Sequence, residues 1–256
     1  MTALPSTTWR MLAQRTGSKE LPQGLDALFD AAVGIGSRFV PRRGKFLREA
    51  QLVVDMDKLF AAKSDNVLRS QAEEYRALFR CGKPKRPQIL EAFALVREVA
   101  FRQLGQKPFL VQVAGALAIE SGCIAEMATG EGKTLTATMP AAIFGWRGRG
   151  CHVITVNDYL AKRDAQWMDK VYRFCGMRVS YIEQEMDPAG RRNAYLSDIT
   201  YCTNKEVAAD FLRDRLALGR LRGLDEALLA KIVEGSGAGT DRLVQRGLQY
   251  AIIDEA

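Results

Sequence analysis

The run Ala128-Thr129-Gly130-Glu131-Gly132-Lys133-Thr134 has the residue types and spacing to hold phosphate. Gly130 and Gly132 permit tight backbone conformations and put no side chain in an anion's way. The N–H groups of such a loop, at the positive end of the helix that follows, make an anion site. Lys133 has the reach for β- and γ-phosphates, and the Thr134 hydroxyl suits Mg²⁺. A second candidate stands far along the chain, where Tyr250-Ala251-Ile252-Ile253 is an apolar run followed by Asp254 and Glu255. A buried strand of this form delivers two carboxylates at its C-terminal edge. Asp254 would hold Mg²⁺ through water, and Glu255 would orient and deprotonate a water attacking a phosphate. A Gly-rich turn or an acidic strand end is unremarkable alone. The two together point to binding nucleotide phosphates with Mg²⁺ and attacking them with water.

These residues need a scaffold, and the apolar spacing describes one. From residue 123 onward, short apolar runs at 123–127, 151–156, 178–183, 198–203 and 250–254 alternate with helical stretches, among them Leu135 to Trp146. That alternation predicts an α/β fold of the P-loop type, a parallel sheet with helices on both faces. Ligands on such sheets bind at the carboxyl ends of the strands, where the candidate residues cluster. Upstream the period is helical throughout. Leu47, Ala50 and Val54 suggest one helix. Leu68, Ala72, Tyr75 and Phe79 share a face of a second, with Asp65 or Asn66 as its cap. Pro87 opens a third, with Ile89, Phe93, Val96, Ala100 and Leu104 on its stripe. These stripes read as core. The expected division is a basic helical segment over 1–106 and a nucleotide-binding domain over 107–256.

Several motifs together resemble one family. The loop departs from the strict GxxxxGK[ST] pattern, with Met127 at the first Gly position, and its TGxGKT form is that of helicase-like motors. Thr155-Val156-Asn157-Asp158-Tyr159-Leu160-Ala161-Lys162-Arg163-Asp164, Asp198-Ile199-Thr200-Tyr201-Cys202-Thr203-Asn204 and Pro108-Phe109-Leu110-Val111-Gln112 accompany it. Joined to TGEGKT, these resemble SecA, the ATPase motor of bacterial protein export, over roughly 107–215 and 243–256. The resemblance implies ATP and Mg²⁺ as cofactors, held by Gly130, Glu131, Gly132, Lys133, Thr134 and Asp254, with Lys133 and Glu255 in catalysis. It also implies that Gln112 reads the adenine edge with an amide that both donates and accepts. Arg163 faces phosphate, couples to a neighbouring domain, or makes a plain helix salt bridge; the residues leave these open. Three departures stand out: Ala128 where Lys or Arg is common, an insertion over 216–242 containing Gly235-Ser236-Gly237-Ala238-Gly239, and a continuation past Ala256 in the family.

The resemblance implies preprotein substrates, a SecY-type membrane channel, and a cytoplasmic location at the inner face of the cell membrane. It also admits a homodimer. Charge adds an anionic membrane surface as a candidate partner. Residues 1–107 carry 19 Lys+Arg against 11 Asp+Glu, a balance of +8, whereas 108–256 carry 18 against 19, a balance of −1. The densest spots are Arg42-Arg43-Gly44-Lys45 and Lys83-Pro84-Lys85-Arg86, which also read as solvated turns. No aromatics interleave with them as a base-stacking surface requires, so nucleic acid is not expected as a partner. No apolar run reaches the length of a membrane span, and the N-terminus lacks a signal-peptide pattern. The five cysteines have no CxxC spacing and His152 stands alone, so the cysteines read as small core residues, not zinc ligands. Two alternatives remain at this stage: a nucleic-acid helicase on the same core, and a non-catalytic nucleotide-binding module.

Overall fold

Four helices precede the sheet region and are built for burial. The structure, a computed structural model, describes residues 42–82, 84–218, 243–245 and 247–254. Helix α1 spans Arg42–Asp55, α2 Asp57–Ala61, α3 Asp65–Cys81 and α4 Arg86–Leu104. In α1 the buried residues are Phe46, Ala50 and Val53, so the inward face is turned slightly from the expected Leu47, Ala50 and Val54. The aromatic side chain of Phe46 decides the rotation, because it has the most apolar area to remove from water. In α3, Leu68, Ala72 and Phe79 are buried as the period predicts, while Tyr75 is half-buried with its hydroxyl donating to Glu91 at 3.0 Å. Its cap position is Ser64, neither Asp65 nor Asn66, and no side chain closes the helix start. Helix α4 opens at Pro87 as expected, and the Lys85 N–H donates to Gln88 Oε1 at 2.8 Å. It is buried nearly all round from Ile89 to Ala100, because it packs on later helices as well as on α2 and α3.

The remaining elements are α5 (Leu110–Glu120), α6 (Lys133–Trp146), β1 (Cys151–Thr155), α7 (Asp158–Phe174), β2 (Val179–Tyr181), α8 (Pro188–Tyr195), β3 (Ile199–Thr203), α9 (Asn204–Leu218) and β4 (Tyr250–Ile253). The strands lie in the order β2-β3-β1-β4 and every pairing is parallel, as the alternation predicts. Both faces of β3 are buried along its whole length, the signature of a parallel sheet covered on two sides.

One expected strand does not form. Residues 123–127 carry no ladder hydrogen bonds, and Ile124 is 98% exposed. A cavity of about 330 Å³ separates this segment from β4, lined by Ile124, Met127, Thr136, Ile252 and Ile253 among others. Strands pair only at about 4.8 Å, so an extended run across such a gap has no partner.

The described residues from Gly44 onward make one compact unit with a main core that does not divide near residue 106. That core joins Phe46, Leu68 and Phe93 to Ile143, Met168 and Tyr201. Ion pairs cross the same line. Arg86 pairs with Glu120 at 2.7 Å, and Arg76 and Arg80 lie 3.6 and 3.7 Å from Asp198; on its own side of the line Arg86 also pairs with Glu49 at 2.5 Å. Part of the N-terminal positive charge is therefore matched inside the fold. Of the 216–242 insertion, Leu216 to Leu218 belong to α9, and 219–242 lie outside the described residues. The chain rejoins the core where Asp214 accepts the N–H groups of Val244 and Gln245 at 2.9 and 2.8 Å. No helix of the described residues is long and apolar enough to cross a membrane, and none of their His, Cys, Asp and Glu residues cluster as a metal site.

All five cysteines are free thiols, with Cys151, Cys175 and Cys202 buried and Cys81 exposed. Burial pushes the Cys175 and Cys202 thiols up to about 12. Because the thiolate is the nucleophile, a maleimide at about pH 8 should modify Cys81 in the folded chain and reach Cys151, Cys175 and Cys202 only after denaturation. Mass spectrometry of labelled peptides checks this, and prompt labelling of the three buried thiols in the native chain contradicts the packing described.

Candidate nucleotide site

Helix α6 begins at Lys133, and the loop before it depends on two glycines. Gly130 has φ 88° and Gly132 φ 79°, the left-handed region that side chains disfavour. Gly132 is the N-cap of α6, so the chain enters the helix directly from a left-handed residue. The first N–H groups of any helix lack partners within it, so the start of α6 offers donors beside the loop. Glu131 closes the loop upon itself: its carboxylate accepts the Ala128 N–H at 2.8 Å, and its own N–H donates to the Ala128 carbonyl at 3.3 Å. Thr138, one turn into α6, donates its hydroxyl to the Thr134 carbonyl at 2.8 Å.

A cavity of about 450 Å³ adjoins this loop. Its lining brings together Thr129, Gly130, Gly132, Lys133, Thr134, Arg163 and Asp254, with Thr155, Leu160 and Asp164. Lys133, Thr134, Arg163 and Asp254 come from three separate elements and meet at the carboxyl ends of β1 and β4. Asp254 is held in place by its backbone, which donates to the Ile154 carbonyl at 2.9 Å and so extends the β1–β4 ladder. Glu255, the residue the sequence offers for activating water, lies outside the described residues.

Helix α7 supplies the other wall. Asn157 caps it by accepting the Leu160 N–H at 2.9 Å, directly after β1. Leu160, Arg163, Asp164 and Trp167 recur at helical spacing, so one face of α7 runs past the cavity. Arg163 donates from Nε to Asp164 Oδ1 at 2.8 Å, and its Nη2 lies 2.7 Å from the same oxygen. Behind them the Tyr172 and Tyr201 hydroxyls share a hydrogen bond of 2.9 Å. Burial, helped at Tyr201 by the neighbouring Tyr172 and Asp164, holds both phenols well above their ordinary range. They act as neutral hydroxyls.

Gln112 is buried, 7% exposed, and lies beside the loop. Its Oε1 accepts the Phe109 N–H at 2.8 Å, and its Nε2 donates to the Glu131 carbonyl at 2.7 Å. The amide thus ties the start of α5 to the phosphate-type loop, and reading a base would exchange one of these bonds. A second cavity of about 700 Å³ opens on this side, lined by Phe109, Val111, Gln112, Glu131 and Trp167 among others. Phe109, Val111 and Trp167 are exposed large apolar residues that share a cavity with a polar loop, a setting suited to a flat ring. Sequence reasoning passed over Asp164 and Trp167. Their signal was present in the spacing of α7 from Leu160 onward.

The sequence model of the SecA DEAD-like domain matches residues 37–256. The chain belongs to the SecA family. It is 43% identical over 231 residues to the protein translocase subunit SecA of Acidothermus cellulolyticus, covering 90% of this chain and 21% of that relative. Against SecA 1 of Thermobifida fusca it is 44% identical over 231 residues, 90% of this chain and 22% of the relative. With SecA of Rubrobacter xylanophilus it shares 46% over 192 residues, 75% of this chain and 19% of the relative. The chain thus spans about a fifth of the length of these SecA relatives. Its α/β sheet with the TGEGKT loop is the SecA DEAD-like domain seen from the residues upward.

The two loop glycines should respond differently to alanine. Either change places a side chain at positive φ, a strain of about 1–3 kcal/mol. A Cβ on Gly130 meets nothing within 4 Å, whereas one on Gly132 would stand 2.5 Å from Gln112 Nε2, which cannot retreat without releasing the Glu131 carbonyl. Urea unfolding should show the larger loss of stability for Gly132→Ala, and equal losses would contradict the role given to Gln112.

Proposed function

We propose that this chain is the ATP-binding motor domain of a SecA-type protein translocase ATPase. The observation that carries the reading is the single cavity in which the loop glycines, Lys133, Thr134, Arg163 and Asp254 converge. The pattern is one of anion binding. Backbone N–H groups at a helix start, one ammonium and one guanidinium surround a space large enough for a polyphosphate chain. Thr134 and Asp254 offer hard oxygen donors beside those cations, a donor set that suits Mg²⁺. Bound there, Mg²⁺ would neutralise charge on the β- and γ-oxygens.

The protein's own part in hydrolysis is positioning and charge. Lys133 and the loop N–H groups hold the phosphates in line, and Arg163 adds positive charge from α7. Glu255 takes the proton of the attacking water. Phe109 and Trp167 offer apolar faces to the base, with Gln112 exchanging one internal hydrogen bond for a base contact.

The coupling to preprotein movement through a SecY-type channel rests on the family and on its relatives, which are protein translocase subunits. A place in the cytoplasm at the inner face of the membrane follows from the same reading, as does a homodimer. The division into 1–106 and 107–256 is best taken as functional, given the shared core. Exposed Arg43, Lys45 and Lys85 are candidates for an anionic surface, and Arg86 is engaged with Glu49 and Glu120.

Calorimetric titration with Mg-ATP is the direct test. Lys133→Ala should remove most of the affinity and leave the melting temperature nearly unchanged, since Lys133 is half-buried at a helix start and no ion pair of the described residues uses it. Unchanged affinity overturns the nucleotide site. Turnover by the chain as it stands should be slow. An arginine supplied to the γ-phosphate is worth on the order of 10³–10⁵ in rate, and Arg163 shares its charge with Asp164. A brisk Mg²⁺-dependent ATPase would show that the site needs no further cation, and stimulation by single-stranded RNA would favour a helicase instead.

A further inference from the structure

Arg163 and Asp164 are successive residues on α7, and successive helix positions do not ordinarily face each other. Here the guanidinium folds back so that Nε and Nη2 both approach Asp164 Oδ1, at 2.8 and 2.7 Å. The two partners are not equivalent. The Asp164 side chain is 4% exposed, and that of Arg163 is 46% exposed. A carboxylate so far from water needs a matched charge. An exposed arginine gains little from an ordinary surface pair and loses side-chain freedom by making one. The arrangement therefore serves the direction of Arg163 more than the strength of the pair. Asp164 itself is seated near the buried Tyr172–Tyr201 hydroxyl pair, on an element that Asn157 locks to the end of β1. Both residues line the cavity that holds Lys133, Thr134 and Asp254. The fork uses one edge of the guanidinium, and most of its five donors remain for an anion.

We propose that Asp164 is a positioning residue: it holds the Arg163 guanidinium toward the phosphate cavity, so that the pair, not Arg163 alone, forms the phosphate-facing unit of α7. The inference rests on the nucleotide reading and adds to it a residue that touches no phosphate. Without Asp164 the arginine samples many rotamers, and an anion has to order it at the moment of binding. With Asp164 that ordering is already present in the fold.

The test is Mg-ATP affinity of the whole 256-residue chain, measured by calorimetry across a double-mutant cycle. Arg163→Ala and Asp164→Asn should each weaken binding about 10-fold, the scale of one well-placed charge-assisted contact. The double variant should be no weaker than Arg163→Ala, because a residue acting only through Arg163 has nothing left to position. A merely structural Asp164 gives a different result: the two losses add, and Asp164→Asn lowers affinity even in the Arg163→Ala background. That outcome overturns the proposal, as does wild-type affinity in Asp164→Asn. Should Asp164→Asn fail to fold, Arg163→Lys takes its place. It keeps the charge but cannot make the two-point approach to Oδ1, so it should also bind about 10-fold more weakly, and wild-type affinity there is equally fatal. Lys133→Ala separates the two levels. If it leaves Mg-ATP affinity unchanged, the nucleotide reading fails. If it weakens binding and the Asp164 cycle is additive, only the positioning role fails.

Discussion

Helix α6 has no exposed residue between Leu135 and Trp146, and the rest of the unit is arranged to cover it. A helix that is apolar all round cannot rest on one surface. It needs the sheet on one side and other helices around the remainder. The described N-terminal helices α3 and α4, with α5, provide that cover. Trp146 shows how closely: its ring lies 6.0 Å from Phe79 and 6.1 Å from Tyr75, and its Nε1 donates to the Cys175 carbonyl at 3.0 Å. The helix even tolerates Pro140 in its interior, where packing on every side offsets the missing hydrogen bond.

Fixing α6 fixes Lys133. The residue stands at the first position of a helix that cannot rotate or slide without exposing its apolar sides. The loop before it is pinned from two directions, by the Glu131 carboxylate from within and by the Gln112 amide from α5. Across the cavity, α7 is capped directly on β1, and β4 pairs with the other edge of β1. A single central strand therefore sets the separation between the arginine of α7 and the aspartate beyond β4. This is how the fold of this SecA-family chain holds Lys133, Arg163 and Asp254 steady around one cavity.

The ion pairs follow the same economy. The N-terminal excess of positive charge is spent partly on stitching: Arg86 to Glu120, Arg76 and Arg80 to Asp198, and Arg97 to Asp57. These link early helices to later elements and to each other. A chain balance of +8 in 1–107 thus overstates what that part presents to a partner. Charge counted along a sequence is not charge on a surface, because pairing removes it from the field.

Much of the candidate site was legible as local pattern, for a physical reason. The phosphate-type loop, Asp254 and the alternation of strands and helices are local patterns, in which glycine, lysine and carboxylate have meaning at fixed spacing. The parallel sheet and the helices opened by Pro87 and Lys133 follow from the same local periodicity. What needed the tertiary structure was everything set by neighbours distant in sequence. The run 123–127 has the composition of a strand, yet it stands across a cavity from β4 and does not pair. Gln112 looked like a base reader on its motif, and the fold engages both ends of its amide. Asp164 stood in the sequence only as the end of a motif, and the fold alone shows it buried beside the exposed Arg163. The boundary at 106 was read from a change of period, but a core does not observe that change when α6 must be covered on all sides. Sequence alone determined which charged and polar groups this protein has at the candidate site. Tertiary packing decided which of them share one cavity, because that depends on what each side chain already touches.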